Sequence, residues 1–312
     1  MSGTRLSDLA TSLDLNIATV SRALRDDPRV KPETRERVRA EAQRLGYRPH
    51  IAARALAEGR TRTLWFVIPD LEDAIAREPA WYASSFLLEQ GYDLLLAQHH
   101  NDEAVFRRIL ERLSRGGADG AIIIPDASSQ GTADSPLWEA RVPFVYLDRS
   151  LEGGQGAPVV TSENRRAGAS LVDDLCHLEG GAPDLVVNGF GFPYRNSVEM
   201  ARWAGVNGAA RQLGVSTVSA GEDWGAHRRA VVLASTEEAA LSLAKPTSGV
   251  VGIGVFDHWR SGPRPGTKIL VAVQDFRTMA RVAVERILTQ LRGESDLRGE
   301  VLIPLAQTRE VL

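Results

Sequence analysis

A single cysteine, Cys176, stands in the 312 residues, so no intramolecular disulfide is possible and a reducing compartment suits the chain. No apolar run comes near the ~18 residues of a membrane-spanning helix. The opening Met1-Ser2-Gly3-Thr4-Arg5 has no apolar core like that of a secretory leader, so a cytoplasmic protein with no membrane partner is expected. Tandem repeats and low-complexity tracts are absent. His99-His100 has no companion at metal-ligand spacing and reads as a strand-end loop. Gly189-Phe190-Gly191-Phe192 lacks the lysine of a phosphate loop, which argues against a nucleotide site. Serine, histidine and aspartate occur, but no nucleophile-elbow pattern sets them up for catalysis. Cys176 lies mid-helix beside Leu175 and reads as a packed thiol. Neither an enzyme nor a metal or cofactor protein is expected.

What is present suits a globular chain long enough for two or three domains: 43% hydrophobic and 25% charged residues. The net charge of -3 names no partner, but its distribution is informative. Residues 1–62 carry 13 Lys+Arg and 8 Asp+Glu, a net of +5, leaving 24 basic and 32 acidic residues, a net of -8, for the rest. A basic head on an acidic body suggests that only the head approaches a polyanion.

Within that head, Leu6, Leu9, Ala10 and Leu13 recur at helical spacing. A tight connection follows at Asp14-Leu15-Asn16, and Asn16 suits the N-cap of a second helix from Ile17. That helix would bury Val20 and Leu24 and leave Ile17, Ala18, Ser21 and Arg22 outward. This is the pattern of a helix-turn-helix, whose second helix meets base edges in the major groove. Arg22 suits a bidentate pair with guanine, and Ile17 or Ala18 suits a thymine methyl. An ordinary helical hairpin has the same periodicity, so the motif alone leaves both readings open. A third helix is predicted from Pro32 to Leu45, closed by Gly46. Its arginines, Arg35, Arg37, Arg39 and Arg44, read mostly as a solvated face. After Tyr47-Arg48-Pro49-His50 comes an Ala-rich helical stretch to Gly59, too poor in apolar partners to stand alone.

The order of helix-turn-helix, Thr19-Val20-Ser21-Arg22, Leu45-Gly46-Tyr47-Arg48-Pro49 and Ala53-Arg54-Ala55-Leu56 resembles the DNA-binding head and hinge of the LacI/GalR family of bacterial repressors. The resemblance implies a homodimer on a near-palindromic double-stranded operator. Asn16, Ile17, Ala18, Thr19, Ser21 and Arg22 would serve the major groove. Paired hinge helices with His50, Ala53 and Leu56 would serve the minor groove, Leu56 as the wedge that kinks the duplex. Residues 1–46 are then the head, 47–62 the hinge and linker, and 63–312 an effector-binding and dimerisation core.

From Thr63 onward strands alternate with helices, as in parallel α/β sheets. Strands are expected at 63–68, 92–97, 121–124, 144–147, 159–161, 184–188, 249–255 and 269–273, with a closing strand at 301–308. Helices are expected to about Gln90 and at 103–115, 164–178, 198–213, 229–243 and 278–291. The resemblance implies two doubly wound subdomains like those of a periplasmic binding protein. Ligands collect at the carboxyl ends of such strands. Asp70, Asp148 and Arg149 follow strands there, Asn164 opens a helix, and Asp257 follows Val255-Phe256. Arg202, in Arg202-Trp203-Ala204-Gly205, resembles the family's effector arginine, and Trp224 falls where an aromatic stacks on a ring. Carboxylate, amide, guanidinium and indole together suit a sugar. The chain is shorter than a usual member, and a strand-helix unit is expected to be missing between about Leu243 and Asp275, which would bear on that half of the pocket. A transporter's solute-binding protein, a regulator with a degenerate non-sugar pocket and a sugar-active enzyme are the competing readings.

Overall fold

Three short helices build the head around one shared apolar seam. In the computed structural model these are α1 (Leu6–Leu13), α2 (Ile17–Leu24) and α3 (Pro32–Arg44). The structure describes residues 4–47, 55, 59–72, 74–125, 134–151, 156–190, 196–220, 222, 224, 229–244, 249–294 and 299–311. Helix α1 ends where Asp14 turns left-handed at φ 53°, and Gly46 does the same after α3 at φ 62°. Leu9, Val20, Ala23 and Val38 are fully buried, and Leu6, Leu13, Leu24 and Leu45 pack around them. The chain divides into two compact units, Met1–Thr61 and Arg62–Leu312.

The second unit contains two six-stranded sheets. The first has the order β11-β5-β4-β3-β1-β2. Its strands are β1 (Thr63–Ile68), β2 (Asp93–Gln98), β3 (Gly120–Ile123), β4 (Phe144–Leu147), β5 (Val159–Ser162) and β11 (Glu300–Ile303). Alternation along them feeds two cores. Leu64, Phe66, Ile122 and Val145 meet α4 (Ala74–Glu89) and α10 (Phe276–Leu291). Trp65, Val67, Ile123 and Tyr146 meet α5 (Glu103–Arg112) and α6 (Ser135–Glu139).

The second sheet has the order β12-β10-β9-β8-β6-β7. Its strands are β6 (Leu185–Gly189), β7 (Ser216–Ser219), β8 (Ala230–Ala234), β9 (Val250–Phe256), β10 (Lys268–Gln274) and β12 (Leu305–Glu310). Helices α7 (Asn164–Leu178) and α8 (Ser197–Gln212) cover one face, and α9 (Glu237–Leu243) covers the other. Among the strands described, only β12, against β10, runs antiparallel. With both faces covered, the central strands are largely apolar, as is usual for buried parallel strands.

The chain crosses between the lobes three times: from β5 into α7, from β10 into α10, and from β11 into β12 across Pro304. The expected single closing strand is thus two strands in different sheets, separated by a proline that cannot donate to a ladder. The helix expected over 229–243 is strand β8 followed by the shorter α9. Ala230 to Ala234 are all buried between β6 and β9, and Thr236 caps α9 by accepting from Ala239 N–H. Strand β7 and helix α6 were not expected. The short connection of residues 257–267 between β9 and β10 lies within the region expected to be reduced, and a second short connection, residues 220–229 between β7 and β8, lies outside it; both are shorter than the dozen or more residues usual for a parallel crossover through a helix.

Candidate DNA-reading helix and effector cleft

On the head, Asn16 Oδ1 accepts the Ala18 backbone N–H at 2.8 Å and starts α2. Val20 and Ala23 face the core, so the opposite face of α2 points outward. Ile17 is 51% exposed, although it is a large aliphatic residue. Ala18 and Arg22 are also exposed, and Thr19 and Ser21 half-buried. An exposed isoleucine beside an arginine on the first two turns fits a surface that meets another molecule. Four other head arginines are engaged internally: Arg35 and Arg39 with Asp26, Arg29 with Asp27, and Arg44 with Glu41. Arg44 holds the Glu41 carboxyl down to about 2. His50, Ala53 and Leu56 lie outside the described residues.

In the core, each lobe sets an aspartate directly after a central strand. Asp148 follows β4 at φ 69°, and Asp257 follows β9 at φ 64°. The two turns repeat one another. Asp148 N–H donates to Val160 O and Arg149 N–H to Leu147 O; Asp257 N–H donates to Ala272 O and His258 N–H to Phe256 O. Aspartate tolerates this left-handed conformation better than most residues. Both aspartates are buried, at 2% and 7% exposure.

Arg202 of α8 is 2% exposed, not part of a solvated helix face. Its guanidinium lies 3.7 Å from the centroid of the Phe256 ring, and Nε donates to Asn164 Oδ1 at 2.9 Å. Burial works against its charge, while Asp257 and then Asp148 favour it. A guanidinium does not deprotonate in a protein. The pressure therefore falls on Asp257, whose pKa burial raises against the pull of Arg202 and two hydrogen bonds from Gln274. Those bonds, from Gln274 N and Nε2, measure 3.2 and 2.8 Å. Ser162 Oγ donates to Gln274 Oε1 at 2.6 Å, Asn164 Nδ2 to Thr161 Oγ1 at 3.1 Å, and Thr161 Oγ1 to Asp148 O at 2.5 Å. Two hydrogen-bonded chains thus tie each lobe's aspartate to the other lobe, one ending on Arg202. Among the described residues, Arg202 Nη2 and Asp148 Oδ1 are buried with no partner.

The other predicted residues are more dispersed. Arg149 pairs with Asp148 at 3.0 Å and donates Nε to Pro125 O. Asp70 accepts from Glu72 N–H and meets His100 at 3.3 Å, contacts that lower its pKa, the backbone bond foremost. Trp224 is half-buried against the β6–β8–β9 core. Asp148, Arg149 and Asn164 line a cavity of about 710 Å³ beside α7, α8 and β11. Asp257 lines another of about 630 Å³, with Glu72 and Ile75 from one lobe and Ser235, Phe256 and His258 from the other. Arg202 touches residues of both, through Asn164 and Phe256. Thr161, Ser162, Phe256 and Gln274 escaped the sequence reading. Their one signal is position, each at or next to the carboxyl end of a strand. No group of three or more potential metal ligands occurs among the described residues.

Comparison with known proteins agrees with this fold. Residues 5–50 match the model of bacterial regulatory proteins of the lacI family. Catabolite control protein A of Priestia megaterium is 30% identical over 168 residues, 54% of this chain and 50% of that protein. The chain spans about half the length of such curated relatives in these matches. The Lac repressor dimer bound to operator and the anti-inducer ONPF shares the fold over 99% of both chains, with a TM-score of 0.78 at 18% identity. The Cra dual regulator of Pseudomonas putida, in complex with fructose 1-phosphate, does so over 80% of this chain and 99% of its own, at a TM-score of 0.64 and 18% identity.

Proposed function

We propose that this chain is a member of the lacI family of bacterial regulatory proteins, whose model its residues 5–50 match, and that it is a cytoplasmic, homodimeric transcriptional repressor whose operator affinity is switched by a sugar. Residues 1–46 form the head, 47–62 the hinge and 63–312 the core. Each head sets α2 in a major-groove half-site. Arg22 reads a guanine, and Ile17 and Ala18 pack on thymine methyls. Leu56 keeps the minor-groove wedge role given by its sequence context.

The effector binds where the strand ends of the two lobes face each other. The observation that carries this is the pair of unspent atoms there, a donor on Arg202 Nη2 and an acceptor on Asp148 Oδ1. A hydroxyl accepts from the first and donates to the second; a carboxylate or phosphate oxygen without a proton can do only the former. Asp257 adds a second acceptor and Phe256 an apolar face. Cra, with its fructose 1-phosphate, supports a sugar-like ligand for the fold. Because the crossings are hydrogen-bonded into this cleft, a ligand preferring one arrangement of the lobes shifts the population of that arrangement. Operator affinity changes by the same coupling energy.

The test is selection from a randomised duplex library by the purified full-length protein at fixed salt. The proposal expects a near-palindrome with two equivalent half-sites. Binding without sequence preference would refute it.

A further inference from the structure

We infer that Asn164 and Gly168 of α7 are positioning residues that set where the Arg202 guanidinium stands, acting through it and not on the ligand. The inference rests on the assignment of Arg202 to the effector.

The backbone of Arg202 is seated by a glycine crossing. A β-carbon added at Gly168 would be driven into the Arg202 carbonyl oxygen, and one at Gly205 into the Arg165 carbonyl oxygen. Each glycine therefore faces the residue three before the other, and the two helix backbones touch without side chains between them. Neither contact can relax by a rotamer change, because both obstacles are backbone. Arg202 thus sits at the point of closest approach, and its Cα position is dictated by α7.

The far end of the same side chain is held one helical turn earlier on α7. Asn164 Oδ1 accepts Arg202 Nε–H at 2.9 Å. The Asn164 amide donates to Thr161 Oγ1 and to Ser162 O, both at 3.1 Å. Both amide donors are engaged within the protein, and Asn164 is 6% exposed. No donor remains for a ligand hydroxyl, although the residue stands beside a cavity. Its role is orientation: it turns Nε inward and leaves Nη2 as the free donor.

The test uses ¹⁵N-labelled full-length protein and the arginine Nε–H resonances, with the Arg202 signal identified by its loss in Arg202→Lys. In the wild type this proton exchanges slowly with water. Asn164→Ala is expected to speed its exchange more than tenfold, and Gly168→Ala to move the resonance. Gly208→Ala, on α8 but with nothing within 4 Å of the added methyl, leaves it unchanged. An unmoved Arg202 signal in Asn164→Ala, which brings no helix clash, overturns the inference even if Gly168→Ala fails to fold. The response of operator binding to glucose, galactose, fructose or ribose is expected to weaken in Asn164→Ala. A wild type that answers to none of these sugars, with the resonance behaving as stated, removes the effector role of Arg202 but leaves its positioning intact.

Discussion

Replacing Arg202 by Met probes the cleft through stability alone, without knowledge of the effector. Methionine keeps most of the stem and its contact with Phe256. The change removes a charged hydrogen bond to Asn164, of about 1.5–3 kcal/mol, and a desolvated cation–π contact of about 2 kcal/mol. It also removes a favourable cation from beside Asp257 and Asp148, which are 7% and 2% exposed, although Arg149 still pairs with Asp148. Desolvation of the guanidinium offsets part of this loss. Breaking one side of a buried charge pair costs about 3–5 kcal/mol in all, and that is the expected deficit near neutral pH. The sign with pH is definite. Burial raises the Asp257 pKa above its ordinary 3.8, so the stability it contributes is full below that value and is lost as pH rises through the raised one. Without Arg202 the raised value moves higher and the loss deepens. The variant's deficit therefore shrinks as the pH is lowered towards the ordinary carboxylate range. Urea unfolding followed by tryptophan fluorescence measures this cleanly, because all six tryptophans lie between Trp65 and Trp259, outside the head. A variant as stable as the wild type, or a deficit independent of pH, would refute the reasoning.

Other outcomes follow from the same contacts. Arg22→Ala should relax base preference at one position in each half-site, at a cost of ~1–3 kcal/mol in a binding-site selection. Leu9→Ala, at a fully buried site, should cost the head about 2–5 kcal/mol. Operator binding is then lost while the urea midpoint of the tryptophan signal stays put. Gln274→Leu reduces the two Asp257 contacts to one backbone N–H and takes away the Ser162 hydroxyl's 2.6 Å acceptor, leaving it only Met279 Sδ at 3.5 Å. A loss of about 1–3 kcal/mol in core stability is expected from the unsatisfied groups.

Much of this architecture was legible because local chemistry and tertiary placement agree. Asn16 caps α2 and Gly46 closes α3 for backbone reasons that need no partner. The helix from Asn164 to Leu178 has the predicted bounds. Strand β8 was misread because Ala230-Val231-Val232-Leu233-Ala234 is apolar without period, and its neighbours β6 and β9, distant in sequence, decide its conformation. The closing segment was read as one strand because the switch of sheets at Pro304 is a long-range event. In the cleft, Asp148, Arg202 and Asp257 were found from strand ends and a motif. Asp70 was found the same way, yet it is engaged by His100 and a local turn. Gln274 and Ser162, separated by 112 positions yet bonded to each other, carry no local mark. The burial of Arg202 was hidden as well, since it depends on Gly168 giving α8 room to approach.

The most direct measurement of the central claim is the affinity of the full-length protein for its selected palindrome, with and without each of several neutral sugars at fixed salt. The account predicts that at least one sugar changes that affinity by roughly 5–150-fold, the usual range of allosteric coupling, and that Arg202→Met abolishes the change while leaving sugar-free binding intact. An affinity indifferent to every sugar, or a response that survives in Arg202→Met, would contradict it.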